Sequence, residues 1–172
     1  MKNIRLSLLL AGKLMLTNAW ALTNDNQQPI HINSAQQAVD MATNTATLIG
    51  NVIIKRGSID IRADKVVITI PDGKKGNEVV EGYGSPVSFY QLQDNGKPIR
   101  GHSQKIRYET ANNLVVLTGN AYLEQLEINV KSDRITYMVN KQHIEAISNK
   151  GKQVTTVLMP LQLQNKTALQ HK

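Results

Sequence analysis

The sequence predicts an all-β protein, and three features carry that prediction: strict period-two alternation of apolar and polar residues, turn-forming residues at short intervals, and an internal repeat. Ile30-His31-Ile32-Asn33, Ile59-Asp60-Ile61-Arg62 and Ile128-Asn129-Val130-Lys131 alternate without exception, as expected of strands that send successive side chains to opposite faces. The β-branched residues that crowd these runs suit a half-buried pleated surface. Gly50-Asn51, Pro71-Asp72-Gly73, Asp94-Asn95-Gly96, Gly119-Asn120 and Asn149-Lys150-Gly151 punctuate the runs and are expected to be the turns between strands. One strand and turn every ~8–10 residues gives roughly 14–16 strands, arranged as a sandwich, jelly roll or solenoid.

The first 21 residues stand apart from this pattern. Lys2 and Arg5 precede a mostly apolar run from Leu6 to Leu16, interrupted by Lys13, and Ala19-Trp20-Ala21 follows as a small-x-small cleavage pattern. This is the anatomy of a secretory signal peptide cut between Ala21 and Leu22. The run is far shorter than the ~20 apolar residues that span a bilayer, and the chain has no cysteine to carry a lipid anchor. Residues 22–28 are a polar flank expected to be flexible, residues 29–162 the β domain, and residues 163–172 a Gln- and Lys-rich tail expected to be loosely held.

Within the domain the first strand is Pro29 to Asn33, carrying Ile30 and Ile32 on one face. Ser34 to Met41 fits either the start of a helical turn or a strand through Val39 and Met41. Leu48, Val52 and Ile54 continue the apolar face, followed by Ile59 with Ile61 and by Val66 with Ile68. After a polar insertion at residues 72–77 come Phe89, Ile106 with Tyr108, Leu117, Leu123, Ile128 with Val130, and Ile135 with Tyr137. The last strand is Gln153 to Met159, uncharged and rich in β-formers.

The repeat orders these elements. TLIGNVIIKRGSIDIRADKVVITI (47–70) aligns without gaps on VLTGNAYLEQLEINVKSDRITYMV (116–139). A shorter unit recurs as Ile30-x-Ile32-x-Ser34, Ile59-x-Ile61-x-Ala63-Asp64, Ile99-x-Gly101-x-Ser103 and Ile128-x-Val130-x-Ser132-Asp133, at spacings of 29, 40 and 29 residues. Repeated antiparallel strand pairs stack into an elongated, quasi-one-dimensional body with two ends. The first and last strands carry neither an inward lysine nor a bulge to blunt their edges. Ile30 and Ile32 at one end, and Val154, Thr156 and Leu158 at the other, are therefore candidates for an oligomer interface.

Composition excludes more than it selects. The formal charge is +7, from 20 Lys and Arg against 13 Asp and Glu. Loss of Lys2, Arg5 and Lys13 with the signal leaves a surplus of +4. That mild excess suits an anionic partner, including phosphorylated lipid, but there is no dense basic patch or aromatic ladder for nucleic acid. Absent cysteines leave no disulfide and no thiolate metal site. His31, His102, His143 and His171 lie far apart, without helical pairing or a carboxylate cluster around any of them, so no metal is expected. Asp64 and Asp133 occupy equivalent repeat positions, each followed by a cation, and suit a repeated turn or cap better than a catalytic pair. Gly82-Tyr83-Gly84 lacks the lysine of a phosphate loop, and no G-x-S-x-G elbow is present. Neither enzymatic chemistry nor a cofactor is expected. The inward set is instead almost wholly aliphatic. That fits a closed core, and equally a groove for acyl chains, which need apolar area and little directional bonding.

QPIHINSAQQAVDM, TLIGNVIIKRGSIDIRADKVVIT, GYGSPVSFYQLQDNGKPIRGHSQKIRYE, VVLTGNAYLEQ and NKGKQVTTVLMP resemble the OstA-like family of lipopolysaccharide-transport bridge proteins over nearly all of Gln28 to Pro160. The resemblance implies an open, slightly twisted antiparallel β-jelly roll in the periplasm. It implies a carrier that takes the lipid A part of lipopolysaccharide from an inner-membrane complex to an outer-membrane translocon. The implied partners are lipopolysaccharide, further copies joined end to end, an inner-membrane component of similar fold (LptC-like) and the periplasmic domain of the translocon (LptD-like). The family's lipid-contacting strands map onto Ile30, Ile32, Phe89 and Tyr108, and one further contact position falls on the smaller, polar Thr110. A chaperone for outer-membrane proteins, adding its own edge strands, and a structural envelope spacer are the alternatives.

Overall fold

The computed structural model describes residue 25 and residues 28–74, 76–93 and 95–158; the expected signal peptide, its cleavage site and the C-terminal tail lie outside them. Ten strands follow in order: β1 (Ile30–Asn33), β2 (Gln36–Asp40), β3 (Thr45–Arg56), β4 (Ile59–Thr69), β5 (Val79–Leu92), β6 (Pro98–Glu109), β7 (Leu114–Gln125), β8 (Ile128–Met138), β9 (His143–Ile147) and β10 (Thr155–Leu158). All pairings are antiparallel. β3 to β8 pair in sequence order, β1 and β2 both pair with β3, and β9 and β10 both pair with β8. Ser34 to Met41 holds a strand, β2, and not a helical turn.

The count of strands differs from the expected 14–16, and the reason is local. Gly50-Asn51 and Gly119-Asn120 do not reverse the chain; they lie inside β3 and β7. All four have positive φ, at 82°, 45°, 80° and 48°. The residues that tolerate a left-handed turn also build a bulge, where the ladder shifts and then resumes. The register shifts between Ile49 and Val52, Arg62 and Lys65, Tyr83 and Val87, His102 and Lys105, and Thr118 and Ala121. These irregularities fall at one level across all six long strands. Divided there, the long strands become twelve segments, which with the four short strands make sixteen.

Along that line the sheet folds over on itself. One layer contains β1, the halves of β3 to β8 at 52–56, 59–62, 87–92, 98–102, 121–125 and 128–132, and β10. The other contains β2, the halves at 45–49, 65–69, 79–83, 105–109, 114–118 and 134–138, and β9. Residues of both layers form a single apolar cluster, in which Val66, Val87, Leu117, Leu123 and Ile135 are fully buried. Each such aliphatic side chain contributes about 1.5–3 kcal/mol on leaving water. The result is an open antiparallel jelly roll, joined along the fold line and free on the opposite side.

Candidate functional site

The tight core lies nearest the fold line. Leu48, Val52, Ile54, Val66, Leu117, Leu123, Val130 and Ile135, all expected on the inward face, are buried within it. Ile32 and Ile68 are half-buried and pack against it. Farther from the line the layers part around a cavity of about 310 Å³. Its walls bring together six of the expected residues: Ile59, Ile61 and Phe89 from one layer, and Ile106, Tyr108 and Tyr137 from the other. Arg62 and Lys131 point to solvent, as the alternation requires.

Ile30 and Ile128 are the two expected inward residues that the structure leaves exposed, at 54% and 38%. Both keep the parity of the inner face: Ile30 pairs two residues before Ile32, and Ile128 two before Val130. Their exposure follows from position: Ile30 stands on the edge strand β1, and Ile128 opens β8 at the end far from the fold line. Val39 and Leu158, at 64% and 68% exposure, stand on the edge strands β2 and β10.

The cavity also takes Ile99, Val115, Val139, Gln91, Asn113, Asn140 and Asp25, which sequence reasoning missed. Ile99 had a signal, since it opens the third copy of the repeat beside Ile30, Ile59 and Ile128. Val115 alternates with Leu117. Val139 and Asn140 lie in a short 3-10 turn, where no period marks an inward side. Asp25 belongs to the stretch expected to be loosely held, yet it is buried and hydrogen-bonded to Ser58 and Gln91.

Polar groups bridge the layers at the mouth. Gln93 Nε2 donates to the Tyr137 hydroxyl oxygen at 3.0 Å, and Gln125 Nε2 donates to Gln93 Oε1 at 3.1 Å. Burial pushes the Tyr137 hydroxyl pKa up, against the opposing effect of Gln125 and Gln93. Burial likewise raises Tyr108, opposed by the positive charge of Arg56. Tyr108 donates to Asn113 Oδ1 at 3.4 Å. Thr110 does not face the cavity as an apolar contact: its hydroxyl is bonded to the Gly76 carbonyl and to Glu78, tying the β6–β7 connection to the loop before β5.

Among the described residues no three His, Cys, Asp or Glu side chains gather as a metal site. His102 stacks on Tyr122 at 4.9 Å, and His143 pairs with Glu145 on the surface. Asp133 caps the connection after β9, accepting from the Asn149 N–H and from Lys152 Nζ, both at 2.8 Å. No helix among the described residues is long and apolar enough to cross a membrane.

Residues 31–143 match the family described as LptA/(LptD N-terminal domain) LPS transport protein. The chain is 54% identical over 165 residues to the lipopolysaccharide export system protein LptA of Escherichia coli K12, covering 95% of this chain and 89% of that protein. It is 47% identical over 152 residues to LptA of Haemophilus influenzae, covering 88% of each. The crystal structure of LptH from Pseudomonas aeruginosa, described as the LptA-homologous periplasmic component of a lipopolysaccharide transport device, superposes with a TM-score of 0.71. It shares 23% identity and covers 80% of this chain and 99% of that one, a likeness of fold.

Proposed function

The chain belongs to the family of LptA and LptD N-terminal-domain lipopolysaccharide transport proteins, and on that footing we propose that it carries lipopolysaccharide across the periplasm with the acyl chains of lipid A shielded between its two layers. The observation that carries this reading is the cavity: a mainly apolar space, lined by aliphatic and aromatic side chains with a few polar groups, opposite the fold line, in a body whose layers both end in strands paired on one side. Acyl chains gain about 0.8 kcal/mol for each CH₂ removed from water. The aliphatic and aromatic part of the lining offers the tails no directional bonds, so they are held without being fixed at one place. About 310 Å³ is at the lower end of ligand pockets, so the subunit holds part of a many-chained lipid at a time, with the sugars left in water. Nothing in the function requires catalysis by the chain itself.

The same reading assigns the ends to assembly. β1 and β10 belong to one layer, β2 and β9 to the other, and each pair of edges runs in opposite directions. A second copy placed head to tail would extend both layers by antiparallel pairing. It would also cover the exposed inward residues Ile30 and Val39 with Ile128 and Leu158. Ile32, Val154 and Thr156 fall in the same seam. Domains of similar fold on the inner-membrane component and the outer-membrane translocon would dock by the same edges. The first 21 residues would direct export and be removed before Leu22.

Photo-crosslinking in cells tests the reading. A photoreactive residue at Ile61, Phe89 or Tyr108 is expected to capture lipopolysaccharide, and one at Arg62 or Lys131 to capture little. Equal yields on both faces would refute a lipid path between the layers. The intact mass of the purified exported protein should correspond to a chain beginning at Leu22.

A further inference from the structure

At the rim of the cavity the turn between β3 and β4 holds the buried carboxylate of Asp25. Ser58 donates its backbone N–H to one oxygen of Asp25 at 2.7 Å and its hydroxyl to the other at 2.7 Å. Gln91 Nε2 adds a third donor at 3.3 Å. The Leu92 N–H donates to the Ser58 hydroxyl oxygen at 3.1 Å, and that hydroxyl also reaches the Leu92 carbonyl oxygen at 3.4 Å, with Asp25 the nearer acceptor. Gly57 leaves the space: a Cβ there would collide with the Asp25 carboxylate. Arg56, next in the turn, brings a positive charge that acts on Tyr108 of the cavity wall.

Asp25 and Gln91 line the cavity beside Ile59, and Ser58 is half-buried next to them, where an unmade hydrogen bond is costly. Asp25, five residues before β1, supplies the acceptor and is only 8% exposed. An amphiphile whose tails enter beside Ile59, Ile61 and Phe89 would bring its own anionic head to this rim.

Resting on the lipid-carrier reading above, we propose that Ser58 and Gln91 form the subsite for a phosphate group of the lipid head, and that Asp25 occupies it in the lipid-free protein as an intramolecular latch. A phosphorylated lipid must displace Asp25, so its apparent affinity is reduced by the fraction of molecules with the latch closed. A lipid without phosphate leaves the latch in place.

Binding of lipid A and of its fully dephosphorylated counterpart to the mature protein, in detergent, tests this. Asp25→Ala is expected to raise the preference for lipid A over the dephosphorylated lipid about three- to ten-fold. Adding Ser58→Ala to that variant should lower that preference by about the same factor, through loss of a charge-assisted donor. Asp25→Asn, which keeps the side-chain shape, should act in the same direction as Asp25→Ala, with melting curves confirming that all variants fold. Equal tightening of both lipids would make Asp25 a steric strap and overturn the phosphate subsite, as would no change with either variant. Inorganic phosphate at millimolar concentration should not reproduce the shift of the Ser58 amide resonance caused by lipid A. If it does, the subsite is one for free phosphate and the lipid assignment fails. Binding of neither lipid by the unmodified protein would sink the carrier reading itself.

Discussion

Phe89 and Gly101 pair across the β5–β6 ladder and exchange volume. In the other copies of the repeat the position of Gly101 holds Ile32, Ile61 or Val130; here the space is filled from the neighbouring strand. A Cβ on Gly101 would stand 2.6 Å from Phe89 Cε1 and 2.8 Å from the Tyr122 carbonyl oxygen. Gly101→Val should therefore destabilise the protein by about 1–3 kcal/mol through overpacking, measured by urea unfolding. Phe89→Ala in the same chain should return part of that loss, because it empties the space the new side chain needs. Additive losses in the double variant would refute the exchange. The same comparison between copies explains why a glycine appears where three others carry aliphatic residues, which the repeat alone leaves as an anomaly. Another residue-level difference stayed hidden: Gly57 and Leu126 occupy equivalent repeat positions, and both adopt positive φ, at 57° and 55°. A leucine gives no hint that it closes a turn.

At the scale of the strand, alternation made the inward face legible and the turn residues made the connections only partly so. Pro71–Gly73, the Asn95-Gly96 pair and Asn149–Gly151 do lie between strands, whereas Gly50-Asn51 and Gly119-Asn120 lie within them. Local chemistry asks for a left-handed backbone at both kinds of site, and only the partner strand decides whether the chain reverses. The cavity was half legible for a related reason. Period two identifies which side chains face inward, but separation of the layers decides which of them line open space. Outward faces carry their own order. On β5, Glu81 accepts from Lys105 Nζ at 2.8 Å and Arg107 at 3.0 Å, and from the Tyr83 hydroxyl. The Lys105 hydrogen bond, with Arg107 and Tyr83 against the cost of burial, pulls the Glu81 pKa from 4.5 to about 2. A carboxyl whose folded pKa lies below its unfolded value stabilises the fold above the unfolded value and loses that contribution as pH falls through the folded one. Stability should accordingly decline from about pH 4.5 toward pH 2, and Glu81→Gln should flatten the decline. Urea midpoints across that range measure it, and identical slopes in the two proteins would show that the β5–β6 charges do not act through Glu81.

The whole molecule is a folded sheet with matching ends. Because β10 closes one layer and β9 the other, removing β10 would leave the layers uneven, with one recessed by a strand. Deleting the chain from Val154 onward should thus abolish concentration-dependent association while the cavity, which contains no residue of β9 or β10, stays intact. Light scattering over a concentration series reads the first effect and lipid binding the second. Growth of the truncated protein matching that of the full chain would rule out the edge-strand seam. The proposed head-to-tail seam would be heterologous, and where its rotation does not close a ring nothing in the contact itself limits the number of copies. The alignment of the bulges at one level has a further consequence, one of measurement. Each layer counts eight segments, and neighbouring strands stand about 4.8 Å apart, so one copy spans about 38 Å along the stacking axis. Since every long strand bends at the same level, the fold line runs along that axis from the first long strand to the last. An end-to-end assembly of the kind proposed would then be expected to lengthen in steps of one subunit, about 38 Å each.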